Sequence, residues 1–197
     1  MTRRYSHAPR PTAAPVTFTL DERTLTVDSG RKVDVVQLGA VEQVRLTYAP
    51  GRFAQANYRT TVRMRDGKTF SLSSLHWLSL IQVTDQGPAY GAFARTLLRA
   101  VAAASPDARF LAGRPPAVWG ATAALAGAAL LGMVYVVWRS LGAGAPGAAL
   151  VGALVGLAGL WQIEPMVRLN RPRSFAPGDP PKDLVPSIPS PRPRGEG

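Results

Sequence analysis

The amino-acid sequence predicts an α+β fold, in which an antiparallel sheet of about seven strands, capped by one helix, precedes a two-helix transmembrane hairpin. Apolar and polar residues alternate at period two through residues 16–83, as in half-buried strands. Residues 90–104 have an amphipathic helical pattern, and two uncharged apolar runs follow. The predicted organisation is a flexible basic arm at 1–15, a folded domain at 16–104, a linker at 105–116, the hairpin at 117–163 (spans 117–138 and 146–163) and a proline-rich, disordered cytoplasmic tail at 164–197.

The most closely specified part of the sheet is a hairpin of residues 58–64 and 68–73. A two-residue turn at Asp66-Gly67 would place core and surface residues on the same face. A three-residue loop, 65–67, pairs Val62 with Phe70 and keeps one face apolar, with its glycine in the left-handed conformation. The sequence therefore predicts the three-residue loop. The preceding strand is expected to point Val44, Leu46 and Tyr48 inward, and a loop is expected to run from Pro50 to about Asn57.

The first apolar run, 117–138, has 22 residues, and a helix of that length rises ~33 Å, which is enough to cross a hydrocarbon core. The second, 146–163, has 18 residues and is near the lower limit for a span. The short glycine-rich connection makes the two helices antiparallel neighbours. Aromatic and basic side chains favour the membrane surface, and the predicted interface anchors are Trp119, Trp138, Trp161, Arg168, Arg171 and Arg173.

Basic residues flank the outer ends of both spans, whereas the connecting loop contains only Arg139. This asymmetry predicts that both termini are cytoplasmic. The N-terminal segment leads into no apolar core typical of a signal peptide, so the first span is expected to direct its own insertion. Glu164 is expected at the membrane edge, with Arg168 one helical turn further on.

Gly152 and Gly156 form a small-xxx-small pattern on the second span, and Ala128 and Gly132 have the same spacing on the first. Small residues allow helix backbones to approach closely in a membrane. Three interpretations stay open: packing within the hairpin, self-association, and a chance result of high Gly and Ala content.

The net charge is +11, and residues 1–116 carry 16 basic and 8 acidic residues. A basic domain held near a membrane is expected to face an anionic leaflet, and no nucleic-acid-binding module is recognisable. The chain has no cysteine, no paired carboxylates at metal-ligand spacing and no phosphate-binding glycine loop. His76 is expected to be a sheet residue. We therefore expect no enzyme, cofactor, metal or small-molecule substrate.

The candidate binding site is a basic outer sheet face. It offers anionic headgroups or an acidic partner a positive surface, although charged residues also keep an ordinary outer sheet face soluble. The tail segment 186–189 has the composition of a docking peptide, and a solvated tail explains it equally. The residues of the candidate face are Arg45, Arg59, Arg63, Arg65 and Lys68.

Seven short strands followed by a helix is the order of a pleckstrin-homology-like (PH-like) domain, a bent sheet capped by its C-terminal helix. Residues 30–46, GRKVDVVQLGAVEQVRL, and 58–74, YRTTVRMRDGKTFSLSS, resemble a strand corner and the central hairpin of bacterial PH-like proteins. The family often joins such domains to transmembrane helices. Its phosphoinositide-binding members use basic residues in an early strand pair, where this sequence has the acidic turn 21–23.

High Ala, Gly, Pro and Arg content is typical of GC-rich bacterial genomes, so the expected location is the bacterial inner membrane. The expected function is a membrane-anchored, non-enzymatic binding or scaffold module at its cytoplasmic face. Its partner would be another protein or a second copy of the chain. The alternative is a protein that senses anionic lipid through its basic sheet face.

Overall fold

The computed structural model describes residues 2–50 and 56–186 of the chain and is α+β, with 11 strands and 3 helices in that part. The chain forms two compact units: residues up to Ala112 and from Ser174 onward make the first, and Gly113–Arg173 make the second. Of the loop predicted from Pro50 to about Asn57, residues 51–55 lie outside the described residues, whereas Pro50 ends one strand and Ala56 and Asn57 begin the next. Residues 187–197, with most of the candidate docking peptide, also lie outside the described residues.

The first sheet is antiparallel, with strand order β1-β2-β3-β4. The second has the order β11-β10-β5-β6-β7, in which β10 lies parallel to β5. A short 3-10 helix (Leu38–Ala40) connects β4 to β5. The strands of these two sheets are β1 (Arg3–His7), β2 (Val16–Leu20), β3 (Thr24–Asp28), β4 (Val33–Gln37), β5 (Val41–Pro50), β6 (Ala56–Met64), β7 (Thr69–Ser73), β10 (Arg109–Ala112) and β11 (Arg173–Ser174).

A separate two-stranded sheet pairs β8 (Leu75–Trp77) with β9 (Val83–Asp85). The sequence predicts a single last strand at 75–83. In the structure, these residues instead form β8, a turn and the start of β9. Helix α1 (Gly87–Ala104) follows β9. Its buried side chains include Tyr90, whose hydroxyl hydrogen-bonds with that of Thr60 at 2.7 Å. The predicted helix 90–104 therefore begins one turn earlier than expected.

The β6–β7 hairpin has the register that the three-residue loop predicts, with Val62 opposite Phe70. Gly67 has φ +84°, and the Met64 amide donates to the Lys68 carbonyl at 2.8 Å. Val62 is buried on the inner face, together with Val44 and Leu46 of β5. The period-two pattern fixes this register because a shift by one residue would expose the whole apolar set.

The N-terminal segment is not the flexible arm expected at 1–15. Arg3–His7 is a strand, paired with β2 from Arg3 opposite Leu20 to His7 opposite Val16. Tyr5 is buried, and its hydroxyl donates to the Ser73 carbonyl at 2.6 Å. Flanking arginines and prolines conceal this strand in the sequence, because only alternate residues of it face the core.

The linker expected at 105–116 contains β10, which extends the second sheet beside β5. Phe110 and Ala112 are buried, and Arg109 and Leu111 lie on the opposite face. The strand has only four residues, too few for its alternation to stand out in the sequence. Ser105, directly after α1, links this segment to the start of β5, since its hydroxyl donates to the Val41 carbonyl at 2.9 Å.

The first part of the tail is ordered, in contrast to the disordered tail expected at 164–197. The Phe175 amide donates to the Phe110 carbonyl at 3.2 Å, continuing the edge of the second sheet beside β10. Leu184 and Val185 are fully buried. Arg95 of α1 donates to the carbonyls of Val185 and Pro186 at 2.8 and 2.9 Å. Two apolar side chains and these bonds suffice to hold a segment whose proline content predicts an extended chain.

The second unit is a pair of packed helices, α2 (Pro116–Gly142) and α3 (Pro146–Leu169). Both are long and apolar enough to cross a membrane, and Ala149 is the only residue of the two that is buried. They extend beyond the predicted spans, and α3 continues through Pro165. At the base of the pair, Gly113 has φ +80° and lies so close to the Asn170 and Arg171 carbonyls that no side chain would fit.

Candidate functional site

The outer face of the second sheet carries three of the five predicted basic residues. In the strand pairing, Arg45 lies opposite Thr61, Arg59 opposite Thr47, and Arg63 opposite Gln43. Residues that pair across antiparallel strands project from the same face, so these three arginines share it. The residues next to them on each strand, including Val44 and Val62, point into the core.

The other two predicted residues border this face without lying on a strand. Arg65 and Lys68 lie at the β6–β7 loop, where Asp66 accepts from the Lys68 amide at 3.0 Å and pairs with its ammonium group at 3.4 Å. That backbone bond is the main reason why the pKa of the Asp66 carboxyl is lowered. Arg65 is 3.9 Å from Asp107. Both cations therefore have acidic neighbours, which reduces the positive charge of the loop.

Two residues that the sequence analysis does not single out, Arg109 and Glu42, also belong to this surface. Arg109 lies opposite Gln43 on the outer side of β10. Glu42 is 3.2 Å from Arg63 and 3.9 Å from Arg109, so one carboxylate serves two guanidinium groups. Exposed pairs of this kind contribute ~0–1 kcal/mol each. The surface therefore retains an excess of positive charge around one bridging acid.

Arg45 differs from the other arginines because it is half-buried in the middle of β5. Burial lowers the pKa of its guanidinium from the usual value. Arg59 and Arg63 are exposed. We define the basic face as Arg45, Arg59, Arg63 and Arg109, the cations that the strands bring to one side of the second sheet.

The acidic turn at 21–23 joins β2 to β3 and is not part of the first strand pair. That pair is β1 and β2, and its turn, together with the β3–β4 turn, lines a surface cavity of about 340 Å³. Arg10 and Arg31 contribute to this cavity. No local pattern in the sequence indicates this cavity, because the first strand is concealed in the basic N-terminal segment.

The predicted interface tryptophans differ in their surroundings. Trp119, in the first turn of α2, donates its indole N–H to the Val167 carbonyl near the end of α3 at 2.8 Å. Trp138 and Trp161 are exposed on the helix surface. Trp161 lies eight residues before the end of α3, since that helix continues to Leu169.

Among the predicted basic anchors, Arg168 forms an ion pair with Glu164 one turn earlier on α3. Arg171 and Arg173 follow the helix and are exposed. The adjacent Asn170 is buried, and its side-chain amide donates to the Met166 carbonyl at 2.9 Å. The end of α3 is thus capped by a polar residue directly before two cations.

Gly152 and Gly156 lie on the side of α3 that packs against α2. A Cβ at Gly156 would be 2.9 Å from Met133, and one at Gly152 would be 3.3 Å from Val137. Gly132 of α2 has open space beside it. Because these two positions of α3 have no side chain, side chains of α2 pack closely against them within the same hairpin.

The two histidines have structural contacts. His76 lies in β8, and its Nδ1 accepts from the Ala8 amide at 3.1 Å. His7, in β1, is buried between aromatic rings. No three His, Asp or Glu side chains within residues 2–50 and 56–186 are grouped so that they could hold a metal ion.

These features define an α+β protein with a basic sheet face and two helices that could cross a membrane. Comparison with protein-family models, with curated proteins and with solved structures finds no match to this chain.

Proposed function

We propose that this protein is a multi-pass protein of the bacterial inner membrane, with both termini in the cytoplasm. Its first unit is a PH-like domain that serves as a non-enzymatic binding or scaffold module, engaging another protein or a second copy of the chain. Nine strands with antiparallel partners, β1–β9, precede α1 in chain order, and this order of strands followed by a helix supports the PH-like proposal. The strands β1, β10 and β11 lie outside residues 16–104, where the domain is expected.

The membrane location is supported by the surface of the helix pair. Large apolar side chains such as Leu125, Leu131 and Leu150 are 62–74 % exposed. Water around so much apolar surface is unfavourable, whereas acyl chains solvate it. The orientation is supported by basic residues on both outer sides of the pair and by the single Arg139 near the connection.

The observation that carries the binding role is the edge position of β4, beyond which residues 2–50 and 56–186 supply no further strand. This strand is the outer one of the first sheet, and Val33 and Val35 on it are 59 % and 63 % exposed. An edge strand presents unpaired backbone donors and acceptors, and a partner strand that adds to it gains a ladder of hydrogen bonds. Two exposed valines give such a partner an apolar contact next to that ladder.

A photo-crosslinking residue at Val35 tests this role in native membranes. We expect one recurrent adduct, either with a defined partner or with a second copy at twice the mass of the chain. The same crosslinker at Glu22, in the exposed β2–β3 turn, is the control and should give none. No adduct at Val35, or equal adducts at both positions, would contradict the proposal.

The basic face supports a second candidate function, the sensing of anionic lipid. Arg59 and Arg63 are exposed on one face of β6, with Thr61 between them, and Arg109 extends this face on β10. Cations near an anionic leaflet gain attraction that salt screens. The full-length protein in anionic nanodiscs should then show slower amide exchange in β6 than in neutral nanodiscs, with the difference lost at high salt.

Serine substitution distinguishes this candidate from a general charge effect. Arg59→Ser, Arg63→Ser and Arg109→Ser together should abolish the lipid-dependent protection of β6. A control variant loses three exposed cations elsewhere, at Arg23, Arg99 and Lys182, and should retain it. Equal protection in both variants excludes the basic face as the lipid contact.

A further inference from the structure

The turn between β8 and β9 exposes three large aliphatic side chains and contains no charged residue. Leu78, Leu80 and Ile81 are 54 %, 65 % and 82 % exposed. No Asp, Glu, Lys or Arg occurs from Leu75 to Thr84. Single exposed aliphatic residues are ordinary on protein surfaces, but three at one uncharged turn indicate a contact with an apolar medium.

The backbone of this tip is hydrogen-bonded within the turn. The amides of Leu78 and Ser79 both donate to the Gln82 carbonyl, at 3.0 and 3.3 Å. The Ser79 hydroxyl oxygen accepts from the amides of Ile81 and Gln82, at 3.4 and 3.1 Å. A loop that enters lipid must satisfy its polar backbone internally, because acyl chains offer no partners. Four amides of this turn are satisfied in this way.

The base of the hairpin is fixed to the first unit. Leu75 is buried, and the Trp77 amide donates to the Ala8 carbonyl at 3.2 Å. On the other strand, the Gln86 amide donates to the Ser74 carbonyl at 2.7 Å. The tip is therefore presented on an anchored two-stranded stem, and its exposed side chains belong to the folded state.

We infer that the tip at residues 78–81, which we name the apolar tip, inserts into the bilayer that α2 and α3 span. This inference rests on the proposed membrane location. Between Ala112 and Pro116 the chain can extend at most ~14 Å, so the first unit stays beside the bilayer surface. A protein partner would need a complementary apolar socket, whereas lipid accommodates a narrow tip of three aliphatic side chains without one.

The inference can be tested by site-specific labelling, because the chain contains no cysteine. Ile81→Cys in the full-length protein carries a fluorescent probe, and the protein is placed in nanodiscs of phosphatidylcholine and phosphatidylglycerol with spin-labelled acyl chains. We expect at least a twofold loss of fluorescence at this site. Glu22→Cys, in a polar exposed turn, should lose little, and Leu131→Cys, on the exposed side of α2, should be quenched strongly.

The results at Ile81→Cys and Leu131→Cys distinguish insertion of the tip from the membrane-spanning role of α2. Quenching at Leu131→Cys without quenching at Ile81→Cys overturns the insertion of the tip and leaves the membrane-spanning proposal intact. Absence of quenching at both positions overturns the spanning role of α2 and the inference with it. If unlabelled Ile81→Cys forms a disulfide-linked dimer and the labelled protein is not quenched, a second copy is the occupant of the tip and lipid insertion is overturned.

A second variant tests whether the fluorescent probe, and not the native tip, causes insertion into lipid. Leu78→Ser and Leu80→Ser, added to labelled Ile81→Cys, leave the stem bonds of Trp77 and Gln86 in place. If the native tip drives insertion, the quenching at residue 81 should fall at least twofold. Unchanged quenching would attribute insertion to the probe and contradict the inference.

Discussion

At the residue scale, His7 shows how burial determines a protonation state. It lies between Tyr5 and Phe18, with ring centroids 5.9 and 5.7 Å away, and is 1 % exposed. Its Nδ1 has no hydrogen-bond partner among the described residues. Burial, aided by the nearby His76 and Arg59, lowers the pKa of His7 to about 4. His7 is therefore a neutral imidazole in the folded protein at neutral pH.

This lowered pKa predicts a pH-dependent stability. Between pH 6.5 and about 4, His7 is protonated in the unfolded chain but not in the folded chain. The free energy of unfolding therefore falls as the pH falls through this window. The loss amounts to ~3 kcal/mol. Thermal melts of the full-length protein from pH 7 to pH 4 measure it. In His7→Leu the part of the slope due to this residue should disappear, and an unchanged slope would contradict the prediction.

Single residues differ in how far the sequence reveals them. The Gly67 conformation follows from a local pattern, because one loop length keeps an apolar face and that loop needs a residue at positive φ. The burial of His7 depends on contacts of β1 with β2 and β8. No pattern within residues 3–7 indicates these contacts. The contact of Glu42 with Arg109 likewise depends on a parallel pairing that no local spacing indicates.

At the scale of elements, the tail and α1 form a contact that depends on a glycine. A Cβ at Gly91 would clash with the Pro186 carbonyl oxygen, and the two preceding tail residues, Leu184 and Val185, are buried. Arg95, one turn further along α1, donates to the same stretch of tail. The helix therefore needs a residue without a side chain where the tail backbone crosses it.

Gly91→Ala should displace the tail, because the clash is with backbone and has no flexible end that could move aside. We expect trypsin to cleave the exposed Lys182 several-fold faster in this variant. Gly120→Ala, in α2 with open space at its Cβ, is the matched control. Equal cleavage rates in the two variants would show that the tail tolerates the added methyl group.

Strands with several alternating apolar residues and the two apolar helices are predictable from the sequence, because their periodicity extends over enough positions. The short strands β1 and β10 are not, since each has few inward residues among charged neighbours. The tail is missed for a different reason: proline content predicts an extended chain but not whether Leu184 and Val185 find a core. The end of α3 is extended past Pro165 by the capping at Asn170 and the Glu164–Arg168 pair.

At the scale of the whole molecule, the proposed orientation makes a direct prediction. In right-side-out membranes, a membrane-impermeant thiol reagent should label Ala143→Cys in the α2–α3 connection and should not label Glu22→Cys in the first unit. Inside-out vesicles should reverse this pattern. The reason is that few cations flank the connection, whereas many surround the other ends of the helices. Labelling of both positions from one side would contradict the hairpin topology.

The first unit is discontinuous in sequence, since the helix pair is inserted between Ala112 and Ser174. During synthesis, residues up to Ala112 leave the ribosome well before Leu184 and Val185, which complete the packing on α1. We therefore expect the unit to mature only after the helix pair has been translated and integrated. Under the proposed membrane location, integration of the helix pair would precede the last folding step, and an isolated fragment ending near residue 116 would retain an uncovered apolar patch.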